Sequence, residues 1–293
     1  MSRRTTYQAF ALLGLLTAVV LSGCQNSSAG IVNLYISGIP ASGVTNVVLA
    51  IRGIELGGDG GNLDLPFGSE QLVDIEGSRT LILDSYVAPV SGYKWVRFDI
   101  DPADSFVIAS NGDRYGLDVA SQYQSTGDFL VGESVTINLL SDIDLRVALT
   151  SQTKDGVRVY TLQELSRLVN LDAVGNITGT VSSGVMIGNV SVNDPNCDPA
   201  VYVYQGDGAV PEGFFVTAKG GTTPFASAAL VLHVNQDIYS FNAALLPPGN
   251  YTAAVTCSAA DATGSKNLDF TPTKNAVVTS GNITSLTFTP PSP

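Results

Sequence analysis

The chain has 293 residues, with 14 Lys+Arg against 26 Asp+Glu and a formal net charge of −12. Nucleic acids and anionic lipid headgroups both require a basic footprint, so an acidic balance of this size excludes them as expected partners. It permits cations or basic proteins, and it equally describes a solvated secreted surface.

The N-terminus opens with Arg3 and Arg4, followed by the uncharged aliphatic run Ala9 to Val20 and then Leu21-Ser22-Gly23-Cys24. The apolar run is too short for the roughly 20 residues of a spanning helix and has the length of a signal-peptide core. Small residues directly before a cysteine form a lipobox, so residues 1–23 read as a cleaved lipoprotein signal peptide and Cys24 as the lipidated N-terminus. An uncleaved anchor and a buried core helix are the alternatives. Loss of Arg3 and Arg4 leaves 12 basic against 26 acidic residues, about −14 for the mature chain. Acyl chains contribute about 0.8 kcal/mol per buried methylene, so several together anchor the chain permanently. Gln25 rather than Asp after the cysteine points to the outer membrane. Residues 24–30 form a tether reaching on the order of 20 Å when extended. The expected location is therefore the bacterial envelope, with the membrane as a partner through the lipid.

With Cys24 consumed, Cys197 and Cys257 remain as an even pair in an oxidising compartment. A disulfide is the expected outcome, closing a loop of about 60 residues and stabilising by about 4 kcal/mol in the chain-entropy model. Two buried thiols or a metal pair are the alternatives, although one histidine and two separated cysteines make a poor zinc set.

From Ile31 onward, short alternating runs are broken by Gly, Pro, Asn and Asp. Strands are expected at Ile31–Ser37, Val47–Leu56, Leu72–Ile75, Thr80–Asp84, Lys94–Ile100, Phe106–Ala109, Ser134–Leu139 and Ile143–Leu149. Asn111-Gly112-Asp113 is a hairpin turn signal. Gly57 to Asn62 reads as a turn, since no helix follows to make it a phosphate cradle. Val157–Leu171 mixes a period of two with a helical stripe and reads as strand with a short helical turn. Beyond a boundary at Asp172–Gly175, strands recur at Ile177–Val181, Val201–Tyr204, Phe214–Ala218, Ala228–Val234, Ile238–Leu245, Tyr251–Ser258, Asn267–Phe270, Ala276–Thr279 and Ile283–Thr289. Many short strands at this spacing predict an all-β chain of two tandem antiparallel β-sandwiches, Ig-like or transthyretin-like, over residues 31–172 and 173–293. Pro89-Val90-Ser91-Gly92-Tyr93 and Pro247-Pro248-Gly249-Asn250-Tyr251 each open a strand with the same turn chemistry. Tyr251, Ala253, Val255 and Cys257 then share one face, expected to be the core face.

A Pro-x-Gly-x-Tyr turn entering an alternating strand is typical of transthyretin-like domains. The fuller order runs from the lipobox through Tyr93-Lys94-Trp95-Val96-Arg97-Phe98 and Ile143-Asp144-Leu145-Arg146. It continues with Gly175-Asn176-Ile177-Thr178-Gly179-Thr180-Val181, Cys197-Asp198 before Ala200 to Tyr204, and Tyr251 to Cys257. In this order the chain resembles bacterial lipoproteins carrying a domain of unknown function (the 4382 family) followed by a carboxypeptidase-regulatory-like domain. The resemblance implies two sandwiches and the Cys197–Cys257 pair; it implies no activity.

No catalytic constellation stands out. His233, the only histidine, lies in an apolar strand, and no Gly-x-Ser-x-Gly elbow is present. Ser91 to Lys94 and Ser151 to Lys154 match Ser-x-x-Lys without opening a helix. Asp99, Asp101 and Asp104 are weak Ca²⁺ candidates; Asp142 with Asp144, and Asp59 with Asn62 and Asp64, are further acid groups, and ordinary solvated turns are the simpler reading. With Val96, Phe98 and Ile100 facing the core, Tyr93, Trp95, Arg97 and Asp99 point outward. Such a row suits a glycan or protein partner, or else stiffens the sheet or lies under the second domain. The expected function is a non-catalytic, lipid-anchored envelope protein with no cofactor. Its alternatives are a hydrolytic module with an acid pair in an interdomain cleft, and an accessory subunit of surface assembly or adhesion.

Overall fold

The structure, a computed structural model, describes residues 28–76, 81–215, 221–258 and 268–290. About two thirds of those residues are strand (68%), as the alternating pattern predicts, and the architecture is all-β. Among them no helix is long and apolar enough to cross a membrane.

The N-terminal sheet is organised by β5 (Ser91–Ala109), a strand of 19 residues. β2 (Val44–Gly58) pairs along one of its edges. Its other edge is divided between β7 (Gln122–Val131), which takes the first half, and β6 (Arg114–Val119), which takes the second. The sheet therefore forks at β5. One branch continues from β7 through β11 (Ser166–Asn170), β8 (Thr136–Asp144) and β1 (Ala29–Ile39) to β4 (Leu81–Pro89). The other runs from β6 through β10 (Val157–Leu162) to β9 (Leu149–Lys154), while β3 (Gly61–Asp74) borders β2. The two branches enclose one apolar core that includes Leu34, Leu49, Phe98, Tyr123 and Leu139. The β2–β5 pair carries four register shifts, and such bulges bend and coil a long ribbon. The largest lies mid-strand, where Pro102, Ala103 and Asp104 turn outward and the Ser105 hydroxyl turns in to donate to the Asp101 carbonyl and accept from the Ala50 amide.

Three expectations change. Lys94–Ile100 and Phe106–Ala109 are one strand, because the ladder with β2 runs through both. The Ile143–Leu149 run is interrupted by a single helical turn, α1 (Leu145–Ala148), which Asp144 caps by accepting from the Arg146 amide. Leu72 to Asp74 are only the end of β3, with Ile75 just beyond it, because the glycine-rich stretch is a tight hairpin that leaves Gly57 and Gly58 in β2 and Gly61 and Asn62 in β3.

In the C-terminal part, β12 (Gly175–Ser182) lies between β18 (Ile238–Leu246) and β21 (Ile283–Phe288), with β17 (Val231–His233) at the edge beyond β18. The second sheet has the order β16 (Ala226–Ala229), β15 (Pro199–Gln205), β19 (Gly249–Cys257), β20 (Lys274–Val278). A small hairpin, β13 (Met186–Ile187) with β14 (Val190–Ser191), flanks them. The expected single strand Ala228–Val234 is two, since the chain leaves one sheet at Ala229 and joins the other at Val231. The expected strand Phe214–Ala218 begins in a turn at Phe214 and Phe215, and its last three residues lie outside the described ones. Tyr251, Ala253 and Val255 face the inter-sheet core with Ile177, Phe241 and Val203. Thr252, Ala254 and Thr256 are buried too, so β19 is covered on both faces. On that outer side Tyr202 and Tyr204 pack with Phe214 and Phe270.

Cys197 and Cys257 form a disulfide with Cα atoms 4.6 Å apart, joining the entry of β15 to the end of β19. Both Pro-to-Tyr turns are tyrosine corners. The Tyr93 hydroxyl donates to the Pro89 carbonyl at 3.1 Å and the Tyr251 hydroxyl to the Pro247 carbonyl at 2.8 Å. Each ring packs on an aromatic neighbour, Phe129 and Phe225 respectively, and burial raises both phenol pKa values.

Removing one corner hydroxyl leaves a carbonyl without its donor. Tyr93→Phe and Tyr251→Phe are each expected to cost about 1 kcal/mol, and equilibrium urea unfolding measures it. Replacing Cys197 and Cys257 together by Ser is expected to cost about 4 kcal/mol, read as a lower unfolding midpoint than that of the oxidised parent.

Candidate functional site

The densest polar construction lies where the two parts of the chain meet. Ser37 on β1, Asp142 on β8 and Arg167 on β11 are in-register neighbours across three adjacent strands. Asp142 accepts from the Ser37 hydroxyl at 3.1 Å and from Arg167 Nε at 2.9 Å. The remaining guanidinium nitrogens reach across the seam, Nη2 donating to the Ala244 carbonyl at 3.0 Å and Nη1 to the Leu245 carbonyl at 3.2 Å. Those carbonyls are free because β18 bulges against β12 there, pairing Ala243 with Ile177 and Leu246 with Gly175. Leu245 sits at φ +57°, a costly conformation for a branched residue. Its amide donates to Asn176 Oδ1 and its carbonyl accepts from Arg167, so both polar groups of the strained residue are held. The Arg167 guanidinium also stands 5.3 Å from the centre of the Phe225 ring.

A second pair lies beside it. Asp144 binds Arg146 through both oxygens, at 3.0 and 2.8 Å, and the Ser227 hydroxyl from the other part of the chain bonds both partners. All four charged side chains are at most 13 % exposed. A cavity of about 330 Å³ opens on this seam, lined by Asp142, Asp144, Glu164, Arg167, Phe214 and Phe225 among others. The acid pair Asp142/Asp144 does therefore line a cleft, but each carboxylate is bound to an arginine. Glu164 lies exposed among the lining residues. Arg146 and Arg167 escaped sequence reasoning; the one signal was an alternating acid and base in Asp142, Asp144 and Arg146.

The expected outward row Tyr93, Trp95, Arg97 is corrected at Tyr93. That side chain is 4 % exposed and belongs to the core. Against β2 the register slips between Tyr93 and Trp95, so Lys94 is an extra residue there and the alternation restarts after it; against β7 the extra residue lies on β7. Trp95 and Arg97 do share the outer face. The indole lies over Gly57, its directly opposed partner, where a Cβ would come within 1.9 Å of the ring. Arg97 stacks on that indole at 4.2 Å, bonds Glu55 at 2.8 Å and donates to Gln124 at 2.9 Å. The aromatic platform thus already carries a guanidinium. Beside it, Arg52, Glu55, Asp64, Arg97, Asp99 and Gln122 line a shallow groove of about 260 Å³.

The three calcium candidates separate. Asp99 turns to Arg52 at 3.3 Å, because it continues the polar face of β5. Asp101 and Asp104 flank the mid-strand bulge and meet Glu70 of β3, with one carboxylate oxygen from each within 4.8 Å. Asp101 is already engaged by Arg52 and by the Ala103 amide, so this cluster of acids is partly satisfied without an ion. His233 is exposed on β17 and bonds the Ser240 hydroxyl at 2.7 Å. Cys24 and the rest of the lipobox lie outside the described residues.

Because Asp142 is buried with its charge, losing its partner is severe. Arg167→Ala is expected to cost about 3–5 kcal/mol, whereas losing both Arg167 and Asp142 costs less than the sum of the single changes. Arg167→Lys falls between, since an ammonium cannot serve the aspartate and two carbonyls as a planar fork does. A double-mutant cycle in urea reads the coupling, and Lys94→Ala, which breaks the exposed Lys94–Asp59 pair, serves as the control with no measurable shift.

No curated protein sequence matches the chain. Among solved structures it is similar to a leucine-rich repeat protein from Bacteroides thetaiotaomicron, at 10% identity over 90% of this chain with a TM-score of 0.23, and it spans only 26% of that protein's length. It is also similar to a candidate cell adhesion protein from Bacteroides fragilis, at 11% identity over 87% of this chain and 91% of that one, TM-score 0.19. The fimbrial anchor protein Mfa2 from Porphyromonas gingivalis matches at 14% identity over 81% of this chain and 79% of its own, TM-score 0.21. Scores at this level carry no functional argument. Residues 29–163 match the family model described as a domain of unknown function, DUF4382, a match that runs from β1 to the end of β10 and stops just short of β11, the strand that fills the N-terminal sheet and carries Arg167.

Proposed function

We propose that this chain is a lipid-anchored protein of the bacterial envelope that acts by binding or as a structural element, without catalysis. The observation that carries the reading is the state of its acid pair. Asp142 and Asp144 line the seam cavity, where hydrolytic chemistry would be sought, and both are consumed by arginines that join the two parts of the chain. A general acid or base needs a proton site free to face a substrate, and these carboxylates serve as a joint instead. The extended polar face around Arg97 is likewise internally bonded and suits a preorganised, rigid surface.

A hydrolytic module is the competing reading, favoured by Glu164 beside the same cavity. An accessory subunit for surface assembly or adhesion is a narrower form of the main one, and it agrees with the acidic surface and the absence of a catalytic motif in the sequence.

Three measurements test this. Full-length protein carrying Cys24→Ser is expected to leave the membrane pellet for the soluble fraction and to lose acyl-chain labelling; retention with label intact overturns the anchor. Purification of the wild-type protein from detergent-solubilised membranes is expected to retain an envelope protein in fixed stoichiometry. Turnover of an envelope polysaccharide or peptide, abolished by Glu164→Gln, would overturn the non-catalytic reading.

A further inference from the structure

β17 is an edge strand of unusual chemistry. Val231, Leu232 and Val234 are 58 %, 46 % and 78 % exposed, in an uninterrupted run with exposed His233. Among the described residues only β18 pairs with β17, and none of them pairs with the amides and carbonyls of its other edge. Free edges ordinarily carry charge or proline that blocks further pairing. Others in this molecule do: Asp64, Pro66 and Glu70 on β3, Asp84 on β4, Lys154 on β9 and Lys274 on β20. β16 is covered at the seam, where Ser227 bonds Asp144 and Arg146, and β21 presents hydroxyl residues such as Thr284 and Ser285. The segment Ala229 to Val234 has no Asp, Glu, Lys, Arg or Pro. High β-propensity without charge, left on an open edge, is a pairing template.

We infer that β17 is the contact through which two copies of this chain associate, by antiparallel pairing of β17 with β17 about a two-fold axis near Leu232. An isologous contact must be self-complementary, and this one is. Leu232 meets its own counterpart, Val231 meets the partner's His233, and no carboxylate or ammonium is buried. Charge favours the same occupant. The chain carries −12 overall, so copies repel wherever their acids approach, and an uncharged seam is where that repulsion is weakest. A basic partner, by contrast, would be steered to the acids and away from this edge. Pairing would join two four-stranded sheets into one of eight strands across the axis. The inference is independent of the lipid anchor and of the seam around Arg167.

The test uses full-length protein in detergent and in cells. Directly opposed Cβ atoms lie about 4.5–5.5 Å apart, within reach of a disulfide after small adjustment. Leu232→Cys is therefore expected to give a dimer-sized band without reductant, while Asn235→Cys, beyond the paired segment, gives little. By analytical ultracentrifugation the wild type is expected to dimerise more tightly as salt screens the net charge. Leu232→Lys is expected to raise the dissociation constant by at least about tenfold while leaving the melting temperature of the monomer unchanged. A monomeric wild type at all salt concentrations overturns the inference. So does a dimer indifferent to Leu232→Lys, or a disulfide adduct of the Leu232→Cys variant whose mass shows a different protein.

Discussion

A strand of nineteen residues spans roughly 60 Å at about 3.3 Å per residue, and so long a ribbon cannot stay flat while sheets twist. β5 meets this constraint by coiling, and its bulges against β2 make the coil. Coiling then dictates the rest of the N-terminal part. One edge of β5 turns away from β7 partway along and leaves room for β6, the sheet forks, and the two branches close over one core. Gly57 and Gly58 stand where β2 passes closest to Trp95 and Tyr93, and a methyl at either would collide with the facing strand.

The seam follows a different logic. Two aspartates and two arginines are withdrawn from water, which is tolerable only because each finds more than one partner. Arg167 does most of this work: its fork serves an aspartate of its own sheet and two carbonyls of the other part of the chain, left open by the bulge in β18. Packing alone would allow one part to slide on the other. A planar fork bound at fixed points defines the angle as well as the contact. The local strain at Leu245 is compensated by the same bonds.

How much of this was legible depends on the range of the signal. Period-two alternation found most strands, since each strand states its own pattern. The cysteine pair and both Pro-to-Tyr turns were legible because they consist of contiguous residues or of an elimination among three cysteines. Tyr93 was misplaced because one residue inserted against β2, Lys94, reverses alternation without leaving a compositional mark. The single strand expected from Ala228 to Val234 failed for a related reason: its hydrophobicity is continuous while the chain changes sheets at Leu230. The seam was illegible in principle. Arg167 meets carbonyls 77 and 78 residues away, and Arg146 meets a serine 81 residues away, so nothing local encodes the meeting.

The two tyrosine corners show how a local signal acquires a distant consequence. Each phenol ties its ring to a carbonyl four residues upstream, so the strand beyond it begins at a fixed angle. At Tyr251 the strand is β19, central in its sheet and buried on both faces, and the ring packs on Phe225, which also receives Arg167. The corner is thus one bond and one ring away from the seam. At Tyr93 the strand is β5, and the bulge at Lys94 lies immediately downstream. With the tyrosine pinned inside, the inserted residue can only rotate the downstream part of β5, which sets Trp95 over Gly57 and Arg97 over Trp95. The orientation of the outer polar face is therefore inherited from a hydrogen bond inside the core, and the same turn chemistry that makes each part fold also determines what each part can present.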